Sequence, residues 1–276
     1  MIFNFNILKY KIARWVERYP LLTILIYNKT KYLKFLLPHE KDYYGILKLA
    51  SNSRKYSFID VGANIGISSI GFRKLGFINP IYLFEPNFFI FDKYLKKLKK
   101  KNKNFFLKNL ALSNKKEVKR LYLAYYKGNN IHFLSSFSKN YIINSIKITY
   151  KNLKNKMNII SKKVRCEKFD NLKIKTPPTF IKLDTEGHDY DVLIGMKNTI
   201  KKHKPIFLIE YNKDIFLKIC NFLKPYKPYL YDYRQNKFIK INNNTKKNIG
   251  RTSIKNLLTT RNIFFIPKSK IIRGNL

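Results

Sequence analysis

Four acidic residues, Asp184, Glu186, Asp189 and Asp191, fall within eight positions of a chain that holds 16 acids against 57 lysines and arginines. Even spacing would leave such a window nearly empty, so the segment KLDTEGHD (182–189) marks where chemistry is expected. A hydroxyl nucleophile must lose a proton as it attacks, and Asp184 or Glu186, held within reach, can accept it. His188 is the alternative base, with an ordinary pKa better suited to neutral pH. The same groups could bind a divalent metal. No metal is expected, however, because only Asp184, Glu186 and His188 are placed to converge. A purely structural reading has Asp184 capping the helix that starts near Asp191. Glu210, at the end of the next apolar run, faces either the same mouth or a lysine on the surface.

A second constellation lies upstream. Asp60 ends an apolar run, and Gly62, Ala63, Asn64, Ile65 and Gly66 turn the chain into a helical pattern. The two glycines would allow close backbone approach to a ligand at a helix N-terminus. About 20 residues on, as in nucleotide-binding α/β folds, Glu85 and Pro86 end a second run, where a carboxylate can accept hydrogen bonds from both hydroxyls of a ribose. The turn reads D-V-G-A-N-I-G and not G-x-G-x-x-G, which argues against a dinucleotide.

These residues need a frame, and the hydrophobic pattern supplies one. FIDV (58–61), IYLF (81–84), FFLKNLAL (105–112), KEVKRLYLA (116–124), FIKLD (180–184), IFLIE (206–210), PYLYDY (228–233) and NIFFIPK (262–268) read as strands. Helices are expected after the Gly turn (67–75), through Phe88, Phe91, Leu95 and Leu98, through Leu193, Met196 and Ile200, and through Phe216, Ile219, Cys220 and Leu223. Alternation of this kind predicts an α/β domain with a mostly parallel sheet, helices on both faces and an antiparallel C-terminal edge strand. The domain is expected over 51–276. An irregular insertion is expected over about 125–160, where Tyr125, Tyr126 and Phe133 could stack on a sugar. His39, His132 and His203 are scattered and read as structural or solvated.

In order and spacing, FIDVGANIG (58–66), IYLFEPN (81–87), NLALSN (109–114), FIKLDTEGHDYDVLIGM (180–196), PIFLIEYN (205–212) and NIFFIPK resemble the FkbM-type methyltransferases. These are S-adenosylmethionine-dependent O-methyltransferases of the Rossmann-like class. By that resemblance Asp60, Gly62, Asn64 and Gly66 hold the methionine end of the cofactor, Glu85 with Pro86 the ribose side, and Ala111 and Leu112 the adenine. Asp184, Glu186 and His188 are then the catalytic candidates, and the carboxylates could also stabilise the sulfonium. The resemblance covers about 56–268 and leaves out the first 50 residues and the insertion.

The net charge of +41 invites nucleic acid, anionic lipid or an acidic glycan as partner. Joint inflation of Lys, Asn, Ile, Phe and Tyr also matches A- and T-rich codons. A nucleic-acid methyltransferase is the rival reading, but the Pro-Pro element TPPTF (176–180) precedes its strand, and neither Cys166 nor Cys220 follows a proline. Two cysteines exclude a disulfide framework. Residues 1–50 are expected to form a basic helical extension, with Leu8, Ile12, Trp15, Val16 and Tyr19 on one face, which would suit an anionic membrane surface. No apolar run reaches the length of a membrane span. The expected place is cytoplasmic or peripheral to the inner face of the membrane, and the expected acceptor is a hydroxyl of a sugar in a bacterial surface glycan. A catalytically inactive membrane-peripheral binding protein is the third reading.

Overall fold

The computed structural model describes residues 40–150, 156–241 and 262–271. The basic helix through Leu8 and Tyr19 and the Asn-rich loop near 242–256 lie outside the described residues. In chain order the strands are β1 (Ser57–Val61), β2 (Ile81–Phe84), β3 (Phe105–Lys108), β4 (Ala111–Leu112), β5 (Glu117–Tyr126), β6 (Asn129–Ser136), β7 (Met157–Glu167), β8 (Pro178–Leu183), β9 (Ile206–Glu210), β10 (Tyr226–Asp232), β11 (Lys237–Lys240) and β12 (Asn262–Pro267). The helices are α1 (Ile67–Lys74), α2 (the successive pieces Phe88–Ile90, Phe91–Leu95 and Lys96–Lys101), α3 (Lys139–Thr149), α4 (Asp189–Ile194), α5 (Lys197–His203) and α6 (Lys213–Phe222).

Eight strands form one sheet in the order β11-β10-β12-β9-β8-β1-β2-β3. The pairs β1–β2, β1–β8, β2–β3 and β8–β9 are parallel, whereas β12 runs antiparallel to both β9 and β10. The C-terminal antiparallel strand is therefore present, but it is inserted between β9 and β10, and β11 forms the edge. Successive side chains of a strand point to opposite faces, and here both faces are covered. Ile59, Val61, Ile181 and Leu183 enter one core, while Phe58, Phe180, Leu83 and Leu208 enter the other. Burial on both sides explains the continuous apolar runs. This is the Rossmann-like α/β arrangement. Its strand order reverses between β1 and β8, so the ligand crevice belongs at the carboxyl ends of those two strands.

Three boundaries differ from the sequence reading. The third run splits: β3 stays in the large sheet, and β4 pairs with β7 in a second sheet ordered β4-β7-β5-β6. The insertion is regular, since β5 pairs with β7 over ten residues and α3 packs on β5 and β6 around Ala124, Ile131, Ile142 and Tyr150. Its alternation is hidden in the sequence because β7 is exposed on successive positions, Ile160, Ser161, Lys162 and Lys163, so both of its sides carry solvent-facing residues. The core also reaches ahead of residue 51: Tyr43 and Ile46, on short helical turns Lys41–Gly45 and Ile46–Leu49, are fully buried against Phe72, Tyr231 and Phe238. Among the described residues no helix is long and apolar enough to cross a membrane.

Candidate active site

The carboxyl ends of β1, β2, β8 and β9 open into a cleft of about 1210 Å³, mouth included, roofed by β6 of the second sheet. The first wall is the turn after β1. Gly62 and Ala63 both donate to Phe84 O at 3.0 Å, and Asn64 (φ 49°) and Gly66 (φ 84°) bend the chain into α1. The glycines serve protein contacts. A Cβ on Gly62 would come within 1.9 Å of Asp184 O, so β1 and β8 converge there, and one on Gly66 would strike Leu98. Gly62 and Asn64 line the cleft; Gly66 does not.

Glu85 is almost fully buried at the end of β2. Its Oε2 accepts from Asn64 N and its Oε1 from Asn87 N, both at 2.8 Å. Burial pushes its carboxyl up to about 7, against the opposing pull of those two N–H groups. Each oxygen keeps a lone pair beyond the backbone bond. Asn109 donates to Glu85 O at 2.8 Å and Pro86 O at 3.3 Å, fixing the strand end. Ala111 and Leu112 line the cleft beside Pro86.

Asp60 is placed differently from the sequence expectation. Its side chain is completely buried and absent from the cleft wall, because it points into the core on the α1 side, where its Oδ2 accepts from Ser69 Oγ at 2.6 Å. Burial raises its pKa; Lys182, its register partner on β8, pulls it back down.

The opposite wall carries the acidic segment. Asp184 Oδ2 meets Lys182 Nζ at 2.7 Å. Glu186 sits in a left-handed turn (φ 53°) followed by Gly187 (φ 95°), its carbonyl accepts from Ser136 Oγ at 3.0 Å, and its Oε2 accepts from Tyr141 Oη at 2.7 Å. Glu210, at the end of β9, joins them: one oxygen from each of Asp184, Glu186 and Glu210 lies within 4.8 Å of the others. Of the two positions expected for Glu210, the structure gives the mouth, and Glu210, not His188, is the third group converging with Asp184 and Glu186. Three such oxygens could hold a divalent cation or share protons. Burial and then Asp184 push Glu186 up to about 7, and burial with the neighbouring carboxylates pushes Glu210 up to about 10.

His188 is committed elsewhere. Its Nδ1 contacts Asp191 Oδ2 at 3.0 Å, its Nε2 contacts Ser113 Oγ at 3.1 Å, and burial pushes its pKa down to about 4. It lines the cleft with both nitrogens in contact, and its lowered pKa makes it a weaker proton acceptor at neutral pH than Glu186. The helix start at His188 carries no side-chain cap, and the turn before it is held by another acid. Asp189 holds that turn, accepting from Thr185 N at 3.1 Å and Thr185 Oγ1 at 2.7 Å.

Several cleft residues escaped the sequence reading. His132 bridges roof and turn through Asn64, with Nδ1 3.0 Å from Oδ1 and its carbonyl 3.3 Å from Nδ2. Ser136 and Phe137 line the roof beside Phe133, which the sequence reading offers for stacking, whereas Tyr126, offered with it, is buried in the roof's own core. Glu40, Tyr43, Ser68 and Lys182 line the remaining corner. No spacing in the sequence links Tyr43 to Ser68 or Tyr141 to Glu186, since each pair is joined across long stretches of chain.

The model of the methyltransferase FkbM domain matches residues 60–235. In structure the chain is similar to methyltransferase FkbM from Methylobacillus flagellatus KT, with 16% identity over 82% of this chain and 50% of that one at a TM-score of 0.45. It spans about half the length of that protein. It is also similar to precorrin-6y C5,15-methyltransferase from Geobacter metallireducens GS-15, with 12% identity over 81% of this chain and 83% of that one at a TM-score of 0.40. A comparison with curated proteins finds no match. The family match runs from the end of β1 to just past β10 and takes in Glu85, Asp184, Glu186 and Glu210, and the chain therefore belongs to the methyltransferase FkbM domain family.

Proposed function

We propose that the protein is an S-adenosylmethionine-dependent O-methyltransferase acting on a sugar hydroxyl of a glycan. The observation that carries this reading is Glu85: a carboxylate clamped by two backbone N–H groups at the carboxyl end of β2, with lone pairs left over for vicinal hydroxyls. Five acids of a chain with only 16 line this one cleft, which suits a ligand carrying a sulfonium and an ammonium. When bound, the cofactor supplies an activated methyl group. Gly62 and Asn64 flank its amino-acid end, Glu85 its ribose, and Ala111 and Leu112 its adenine.

Glu186 is our choice for the group that takes the hydroxyl proton. A pKa near 7 makes it an effective acceptor at neutral pH, and the Tyr141 bond fixes its rotamer through Oε2. Phe133 and Phe137 on the roof offer apolar faces to a sugar ring. Methylation of a nucleobase amine is disfavoured by placement: Pro177 and Pro178 sit at the start of β8, where Ser57 Oγ donates to Thr176 O, at the end of the sheet opposite Asp184. Isothermal titration calorimetry with S-adenosylmethionine tests the cofactor assignment, and absence of binding would overturn it and favour a non-catalytic binding protein.

A further inference from the structure

Lys182 is the one lysine or arginine among the described residues lining the cleft, in a chain that has 57 of them. It is 2% exposed, on the central strand β8, with its side chain on the same sheet face as Asp60, its register partner. An ammonium has three protons to donate. Among the described residues Lys182 Nζ donates one hydrogen bond, to Asp184 Oδ2. Burying a charged donor without partners costs free energy, so this corner of the cleft is built for an acceptor that the protein alone does not provide.

Two neighbouring features point the same way. Ser68, in the first turn of α1, and Tyr43 share a 2.7 Å hydroxyl–hydroxyl hydrogen bond on the cleft wall, and only one of their two protons is spent in it. Helix α1 begins after Gly66 with no capping side chain, so its first N–H groups and the positive end of its dipole remain available to an anion. Tyr43 and Lys182 are near enough to influence each other's ionisation, and Glu40 acts on both. Burial alone would lower the pKa of Lys182, but Asp184, Tyr43, Asp60 and Glu40 outweigh it and keep the ammonium charged.

We infer that Lys182, with the Tyr43–Ser68 hydroxyl pair and the start of α1, forms a carboxylate-binding subsite that receives the α-carboxylate of the cofactor's amino-acid tail, while Glu40 faces its ammonium. The assignment deepens the S-adenosylmethionine reading and rests on it. It moves the charged contact for the amino-acid tail from Asp60, which is sealed in the core, to a lysine one strand away.

The test is a ligand series measured by calorimetry on the full chain. S-adenosylhomocysteine carries the amino-acid tail; 5′-methylthioadenosine keeps adenine and ribose and lacks it. Lys182→Met is expected to weaken S-adenosylhomocysteine by about 30-fold, the size of one charge-assisted hydrogen bond, and to leave 5′-methylthioadenosine within about threefold. A second arm needs no variant: the unsubstituted protein should bind decarboxylated S-adenosylmethionine more weakly than S-adenosylmethionine by a similar factor. Equal losses for both nucleosides in Lys182→Met, or equal affinities in the second arm, would overturn the subsite. If Lys182→Met left all nucleosides unaffected and weakened only a uronic-acid acceptor, the carboxylate would belong to the acceptor and the assignment would fall. Failure of the unsubstituted protein to bind either nucleoside would overturn the cofactor reading itself.

Discussion

Replacing Glu210 with Gln should stabilise the ligand-free protein at alkaline pH and leave it unchanged in acid. In the unfolded chain a glutamate loses its proton near 4.5, whereas folded Glu210, buried beside Asp184 and Glu186, keeps it to about 10. Between those values the folded state binds the extra proton. Unfolding free energy therefore falls as pH rises. It is highest below about 4.5, where both states are protonated, and has finished falling above about 10. From 4.5 to 8, at about 1.4 kcal/mol per unit, a fully sealed site would lose about 5 kcal/mol. Glu210 is only partly buried, and solvent screening brings the expected gain of Glu210→Gln at pH 8 to about 1 to 3 kcal/mol. That corresponds to a Tm rise of about 2 to 5 °C for a chain of this size. Circular-dichroism melts at several pH values between 4.5 and 9 measure it directly. An equal Tm difference at pH 4.5 and pH 8, or a less stable variant at pH 8, would show that the three carboxylates do not repel one another as their spacing implies.

Glu85→Ala should weaken S-adenosylmethionine binding by about 1.5 to 3 kcal/mol, with the loss concentrated on ligands that keep both ribose hydroxyls. Calorimetry with a 2′-deoxy analogue checks the attribution, since in the variant the analogue and the parent should bind alike. Glu186→Gln should cut turnover by about 10² to 10⁴ with cofactor affinity nearly intact; turnover within a few-fold of the parent would remove Glu186 from the chemistry. A chelator should leave turnover unchanged if the base is metal-free, and loss of activity restored by a divalent cation would instead make Asp184, Glu186 and Glu210 metal ligands.

The large sheet was readable because its strands are buried on both faces and announce themselves as unbroken apolar runs, such as Ile81–Phe84 and Ile206–Glu210. Glu85, Asp184 and Glu186 were readable because acids are scarce in this chain and these sit at strand ends. Asp60 satisfied the same criteria, yet its side chain turned inward, a choice set by strand parity and by Ser69 in the first turn of α1. The roof was opaque for the opposite reason. β7 meets solvent along most of its length, so solvent-facing residues on both of its sides mask its period. Glu40 and Tyr43 lie ahead of the recognisable motif and reach the cleft only through tertiary packing, and His188 looked like a base because its commitment to Asp191 and Ser113 is a three-dimensional fact.

The roof has an apolar core of its own, built from Ala124, Ile131, Ile142, Ile146 and Tyr150 and separate from the two cores flanking the large sheet. It touches the chemistry through a handful of polar threads: His132 to Asn64, Ser136 and Tyr141 to Glu186. The part built from β5, β6 and α3 keeps its apolar interior to itself; beside these polar threads, Phe137 meets His188 ring to ring at 4.8 Å, and Phe169, after β7, joins the core of the large sheet. Substitutions within the interior of that roof are therefore expected to leave the packing of the large sheet intact, provided those few contacts are preserved.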